Sequence, residues 1–103
     1  MILGPSGQNI YPEEIEDRLN ALPYVSESLV IEKDGKLIAL VYPDYEVVKK
    51  EKISPEQLKT KMDENRKLLN HMLPMYSQVA RLKIQETEFE KTPKRSIKRY
   101  LYQ

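Results

Sequence analysis

Apolar positions along this chain change their period several times, and each change marks an element. Ile15, Leu19 and Leu22 recur at i, i+4 and i+7, the spacing of one helix face. Pro12 stands where such a helix begins, because the first turn makes no internal use of its N–H groups. Glu13, Glu14, Glu16 and Asp17 favour the positive helix N-terminus, and Pro23 ends the segment. Val25 to Lys33 and Lys36 to Tyr42 read as two strands, joined by Asp34-Gly35, the signal of a two-residue type I′ turn. Leu37-Ile38-Ala39-Leu40-Val41 is apolar on both faces, which predicts a central strand covered by helices on each side; Pro43-Asp44 ends it. Lys49-Lys50-Glu51-Lys52 reads as a solvated loop. A second helix starts at Ser54, with Pro55 first and Gln57 completing a Ser-x-x-Gln capping box, while Ile53 and Leu58 are spaced for a hydrophobic staple. Leu58, Met62, Leu69 and Met72 share one face that Asn65 interrupts, and Leu73-Pro74 stops the helix.

The remaining segments are shorter. Val79 to Ile84 alternates apolar and charged residues, with Leu82 partly out of phase, and reads as a third strand. Thr92-Pro93 marks a turn, and Ser96 to Tyr102 reads as a short terminal helix. At the other end, Met1-Ile2-Leu3 and Gln8-Asn9-Ile10-Tyr11 flank Gly4-Pro5-Ser6-Gly7 as a small hairpin. The expected fold is α+β: a small hairpin followed by a roughly three-stranded sheet packed with helices, forming one domain over residues 1–103.

Composition narrows the chemistry. The chain has no cysteine and a single histidine, His71, which removes thiolate chemistry and makes a histidine metal site or triad improbable; no metal site is expected. His71 is placed as a cation at a helix end, and the seven tyrosines read as core-edge residues with solvated hydroxyls. No apolar run approaches the ~20 residues of a membrane helix, and no signal peptide is visible, so a cytoplasmic protein is expected. Net charge is +1, but it is unevenly spread. Residues 1–90 hold 12 basic and 16 acidic groups, whereas residues 91–103 hold five basic groups and no acid. A cationic end on an acidic body suits an anionic partner, or else is a solvated helix face or tail.

Three stretches carry a family resemblance. Gly7-Gln8-Asn9-Ile10-Tyr11-Pro12-Glu13-Glu14-Ile15-Glu16 resembles the G-x-x-I-x-P-x-E-I-E segment that opens the mobile C-terminal domain of acyl-CoA synthetases, luciferases and peptide-synthetase adenylation domains. Leu73-Pro74-Met75-Tyr76 is similar to the L-P-x-Y that precedes that domain's last strand. Phe89 to Arg99 resembles the terminal K-T-P-x-x-K-I-x-R, standing nearest the long-chain fatty acid ligases. The order and spacing match over nearly the whole chain.

The resemblance implies the lid domain of a long-chain fatty acid–CoA ligase. Its partners would be an N-terminal AMP-binding domain of the same polypeptide, a fatty acid and coenzyme A, with no nucleic acid and with possible membrane-surface association of the whole enzyme. That N-terminal domain would hold ATP or AMP and Mg2+, and the hinge would lie upstream of Met1. The lid closes for attack of the carboxylate on the α-phosphate, then rotates so that the coenzyme A thiol meets the acyl-adenylate. A lysine held over the phosphate in a dry site would stabilise the developing charge. A coenzyme A channel needs backbone without side chains, and Gly4, Gly7 and Gln8 are the candidates, although an ordinary hairpin turn also explains the glycines.

One departure matters. The family's catalytic lysine falls on Ser96, which cannot supply a cation. Either Lys94, Arg95 or Lys98 supplies the charge from a neighbouring position, a lysine stem reaching roughly 6 Å, or adenylation is lost or weakened, or the protein transfers acyl groups from adenylates made elsewhere. Lys94 and Lys98 are the catalytic candidates and Arg95 a cofactor-binding one; Ser96 is placed to cap the terminal helix. On this reading the chain alone does not turn over. The alternative is a stand-alone module whose basic end binds nucleic acid or an anionic surface, and a fragment without chemistry is a third reading.

Overall fold

Three strand pairings organise the chain in the computed structural model, which describes residues 2–4 and 7–102. Strands β1 (Ile2–Leu3) and β2 (Asn9–Ile10) form the expected antiparallel hairpin. Pro5 and Ser6 of its predicted turn, like Met1, lie outside the described residues. Helix α1 (Pro12–Asn20) follows, then β3 (Val25–Lys33) and β4 (Lys36–Pro43). Helices α2 (Tyr45–Lys50) and α3 (Pro55–His71) cross to β5 (Val79–Ile84).

The main sheet has the order β3-β4-β5, so β4 is central, as its doubly apolar run requires. β3 and β4 are antiparallel through Asp34 (φ 53°) and Gly35 (φ 75°), the paired positive φ values of a type I′ turn. β4 and β5 are parallel, which the helical crossover through α2 and α3 permits. The out-of-phase Leu82 has a simple cause. Pairing shifts by one residue between Leu37↔Val79 and Ile38↔Arg81, and Val79, Leu82 and Ile84 all pack on the helix-covered face.

Alternation along β4 separates two cores. Leu37, Ala39 and Val41 join Ile15, Leu19, Met62 and Leu69 on the face covered by α1 and α3. Ile38, Leu40 and Tyr42 join Leu29, Ile31, Phe89, Ile97 and Tyr102 on the other. The expectation of helices on both faces is therefore corrected: the second face is covered by the chain end, without an α-helix. Each fully buried Leu contributes about 1.5–3 kcal/mol, so the helix-covered face dominates.

Local signals explain most boundaries. Ser54 Oγ accepts from the Gln57 N–H at 3.1 Å, and Gln57 Oε1 accepts from the Ser54 N–H at 2.9 Å, completing the capping box. His71 ends α3 as expected. Asn65 interrupts the apolar stripe because its Nδ2 donates to the Pro23 carbonyl at 2.7 Å, joining α3 to the connection after α1. Asn70 meets the first residue of β5 as a strand would: Val79 N–H donates to its Oδ1 at 2.8 Å, and its Nδ2 donates to Val79 O at 2.9 Å. Lys49 and Lys50 lie in the last turn of α2 and not in a loop. Asp44 caps that helix, accepting from the Val47 N–H at 3.4 Å.

Candidate functional site

The basic end does not form the expected helix. Lys91 pairs with Ile97 in an antiparallel bridge, and the chain between them reverses. Thr92 N–H donates to Ser96 O at 2.8 Å, and Arg95 N–H donates to Thr92 O at 2.8 Å. Pro93 and Lys94 hold the corners of the turn, and Arg95 takes the left-handed conformation (φ 64°). That is the three-residue hairpin loop in which a turn is followed by one left-handed residue. Among the described residues beyond it, Arg99–Leu101 alone is helical, as a single 3₁₀ turn. Ser96 therefore caps no helix; its N–H donates to Thr92 Oγ1 at 3.3 Å and closes the loop.

This loop brings three candidates together. Lys94, Arg95 and Ser96 are all solvent-exposed at its tip. Lys98 is set apart on the half-buried return leg, where its N–H donates to Glu90 O at 2.8 Å. The cations thus surround the position of Ser96, with Lys94 and Arg95 immediately before it. A tight loop with an exposed cationic tip suits a phosphate oxygen as its partner.

The glycine candidates lie elsewhere. Gly4 is buried, and a Cβ there would stand 3.3 Å from both Gln8 O and the Ile10 Cδ1 methyl, so backbone approaches backbone closely. Gly4 N–H donates to Gln8 O at 2.7 Å. Gly7 has φ +83° and open space around it, so its requirement is conformational. Gln8 Oε1 is buried without a hydrogen-bond partner among the described residues. Ile2 and Ile10 seat this hairpin on the helix-covered core, whereas Ile97 seats the cationic loop on the opposite core. The two groups of candidates are mounted from opposite faces of one sheet.

The first and second sequence motifs do converge. Ile10, Tyr11, Leu73, Pro74 and Tyr76 line one groove of about 190 Å3, beside Arg18 and Glu14. Met75 stands almost fully exposed next to it. Tyr11, Tyr76 and Tyr100 are exposed, as expected of edge residues, while Tyr102 instead packs edge-on against Phe89 with ring centres 5.1 Å apart.

Sequence reasoning missed the acidic side chains that hold the basic end. Lys91 Nζ donates to Glu27 Oε1 at 2.8 Å, and that bond raises the Lys91 ammonium above its ordinary pKa. Arg99 pairs with Glu16, and Glu13 stands 3.9 Å from the same guanidinium. Glu16 is buried, and its Oε2 accepts from the Val30 N–H at 2.7 Å. Burial lifts the Glu16 carboxyl above the usual carboxylate range; the Val30 amide and then Arg99 pull it back, and Glu13 adds to the rise. A signal for Glu16 existed. Pro12, Ile15, Glu16 and Leu19 lie at i, i+3, i+4 and i+7, so Glu16 occupies a core-facing position of α1.

Among the described residues no cluster of His, Cys, Asp or Glu could hold a metal ion, and no helix is long and apolar enough to cross a membrane. The family model for the C-terminal domain of AMP-binding enzymes matches residues 1–102. No curated protein matches the chain. Among solved structures, the adenylation domain of a carboxylate reductase from Mycobacterium chelonae is similar at TM-score 0.80 and 17% identity, over 97% of this chain and 17% of that one. A fatty acyl CoA synthetase from Mycobacterium tuberculosis is similar at TM-score 0.61 and 26% identity, over 98% of this chain and 18% of that one. An acyl-CoA synthetase from Brucella canis is similar at TM-score 0.69 and 24% identity, over 98% and 18%. The chain thus spans under one fifth of the length of these structures.

Proposed function

The chain belongs to the family of AMP-binding enzyme C-terminal domains, and we propose that it is the mobile lid of an ATP-dependent fatty acid–CoA ligase. The observation that carries this reading is the mounting of two different loops from opposite faces of one small sheet. A lid that serves two successive steps needs two such surfaces, one cationic and one stripped of side chains.

In the first step the fatty acid carboxylate attacks the α-phosphorus of ATP. A new O–P bond forms as the bond to the β-phosphate oxygen breaks, and pyrophosphate leaves with its electron pair. Negative charge accumulates on the equatorial oxygens, where the exposed Lys94 and Arg95 beside Ser96 are suited to meet it. Lys98 reaches the same phosphate only if its half-buried leg shifts. In the second step the coenzyme A thiolate attacks the acyl carbon and AMP leaves. Gly7, exposed and with nothing within 4 Å of where a Cβ would stand, leaves the backbone bare for a pantetheine arm, while Gly4 packs the hairpin tightly behind it. Coenzyme A and ATP are substrates, and the nucleotide and Mg2+ are assigned to an N-terminal domain.

A fatty acyl substrate is supported by the terminal Lys-Arg motif within Phe89 to Arg99 and by the similarity to a fatty acyl CoA synthetase. The family match disfavours a stand-alone nucleic-acid module. The test is ATP–pyrophosphate exchange with saturated acids of increasing length, measured on the 103-residue chain and on the full-length ligase. Exchange that depends on a fatty acid is expected from the ligase alone. Exchange by the chain itself, or a ligase that prefers aryl or short dicarboxylic acids, would overturn the proposal.

A further inference from the structure

We propose that Glu16 and Glu27 are positioning residues that aim the Thr92–Ser96 loop by taking one cation from each of its legs. The inference rests on the lid reading and adds to it the parts that orient the cations.

The segment carrying the loop has little regular structure of its own. Among the described residues after β5 it contains one bridge, Lys91 to Ile97, and one 3₁₀ turn. Its apolar residues pack on Leu29, Ile31 and Leu40 of the second face, and among the described residues β3 pairs with β4 alone. Two carboxylates meet it there. Glu27, on β3, holds Lys91 just before the loop at 2.8 Å. Glu16, on α1, holds Arg99 just after it, while its other oxygen is fixed on the Val30 N–H. Tyr102 closes the arrangement: its hydroxyl accepts from the Glu90 N–H at 2.8 Å.

These anchors are poorly explained as stability devices. A partly exposed pair such as Lys91–Glu27 contributes little, and the more buried Glu16–Arg99 pair gains little over apolar side chains of the same volume. An apolar contact would bury the segment equally well but would let it slide. Two charge pairs, one on each leg and on different elements, fix both position and rotation of the loop between them. Orientation matters for in-line attack at phosphorus, where a misplacement near 1 Å costs about a hundredfold in rate.

The experiment has two arms, each applied to Glu16→Gln, Glu27→Gln and Arg99→Lys. The first follows backbone amide exchange in the 103-residue chain by NMR. Both Gln variants are expected to speed exchange of the Thr92, Arg95 and Lys98 amides by about tenfold or more, as expected for loss of an anchoring contact. The Ala39 and Val41 amides should change less than twofold. Arg99→Lys, which keeps a cation facing Glu16, should recover most of the protection. Unchanged exchange at the loop in both Gln variants would overturn the inference, whatever the enzyme does. The second arm measures the half-reactions of the full-length ligase. Pyrophosphate release should fall by about ten- to a hundredfold with KM for ATP little changed, while acyl transfer from preformed adenylate stays within about threefold. Equal losses in both steps would reduce the anchors to structural ones and overturn the positioning role. A wild-type ligase without fatty-acid-dependent exchange would overturn the lid reading and this role with it, while leaving the first arm's ordering of the loop intact.

Discussion

Removing the two halves of the Glu16–Arg99 pair should have unequal effects. Arg99→Gln leaves a carboxylate buried with one backbone donor. Breaking a buried pair in this way costs about 3–5 kcal/mol in deep interiors. The Arg99 side chain keeps 31% of its exposure, so water can approach the vacated side, and about 1–2 kcal/mol is the expected loss at pH 7. Glu16→Gln removes the charge whose burial is the largest influence on that group, and it keeps an oxygen for the Val30 N–H. It frees Arg99, whose partly exposed end can turn to solvent. Its stability should therefore lie within about 1 kcal/mol of the wild type.

The pH dependence has a definite sign. The folded-state carboxyl of Glu16 lies above its unfolded value, so in the interval between the two the folded chain binds more protons. Stability from this group is then greatest below the unfolded value and is lost as pH rises through the folded one. A tenfold difference in proton affinity corresponds to about 1.4 kcal/mol. The wild type should gain on Glu16→Gln as pH falls from 7 through the raised value, and the deficit of Arg99→Gln should shrink over the same range. Urea unfolding followed by circular dichroism at pH 7 and at stepped acidic pH measures all three proteins; there is no tryptophan to follow. A Glu16→Gln loss above about 2 kcal/mol that does not vary with pH would refute the reasoning, because it would make the carboxylate a structural support.

Other consequences are simpler. Asn70→Asp keeps the acceptor for the Val79 N–H but sets a carboxylate against Val79 O, and should cost about 1–3 kcal/mol in urea unfolding at pH 7. A loss under about 0.5 kcal/mol would mean that the side chain does not hold the start of β5. Arg95→Gly relieves a left-handed non-glycine residue and should stabilise the chain by about 0.5–1 kcal/mol, read as a rise in thermal midpoint; a fall would mean that the loop adapts without strain.

Legibility in the sequence followed locality. The Asp34-Gly35 hairpin, the Ser54 capping box and the central β4 run each declare themselves within a few residues, and each is present. Helix α2 did not, because it is short and contains Val47-Val48, whose branching weakens a helix signal; Asp44 as its cap was the remaining clue. The segment from Ser96 to Tyr102 has helix-like spacing of Ile97 and Leu101, but Ile97 instead pairs with Lys91 and joins the second core. That outcome depends on the exposed apolar face of β3 and β4, which no local window contains. The site was divided in the same way. The loop cations stand out as a run of basic residues, whereas Glu16 and Glu27 are distant in sequence and became visible only once the chain end lay beside β3.

The claim of two surfaces for two steps is tested most directly by the ratio of half-reaction rates in the full-length ligase. Pyrophosphate release and acyl transfer from preformed adenylate would be timed in single turnovers for Lys94→Ala, Arg95→Ala and Gly7→Ala. The account predicts opposite selectivity: loss of a loop cation slows pyrophosphate release, and a methyl group at Gly7, standing in open space on the exposed hairpin, slows only acyl transfer. Variants of both loops that slow both steps by the same factor would contradict it.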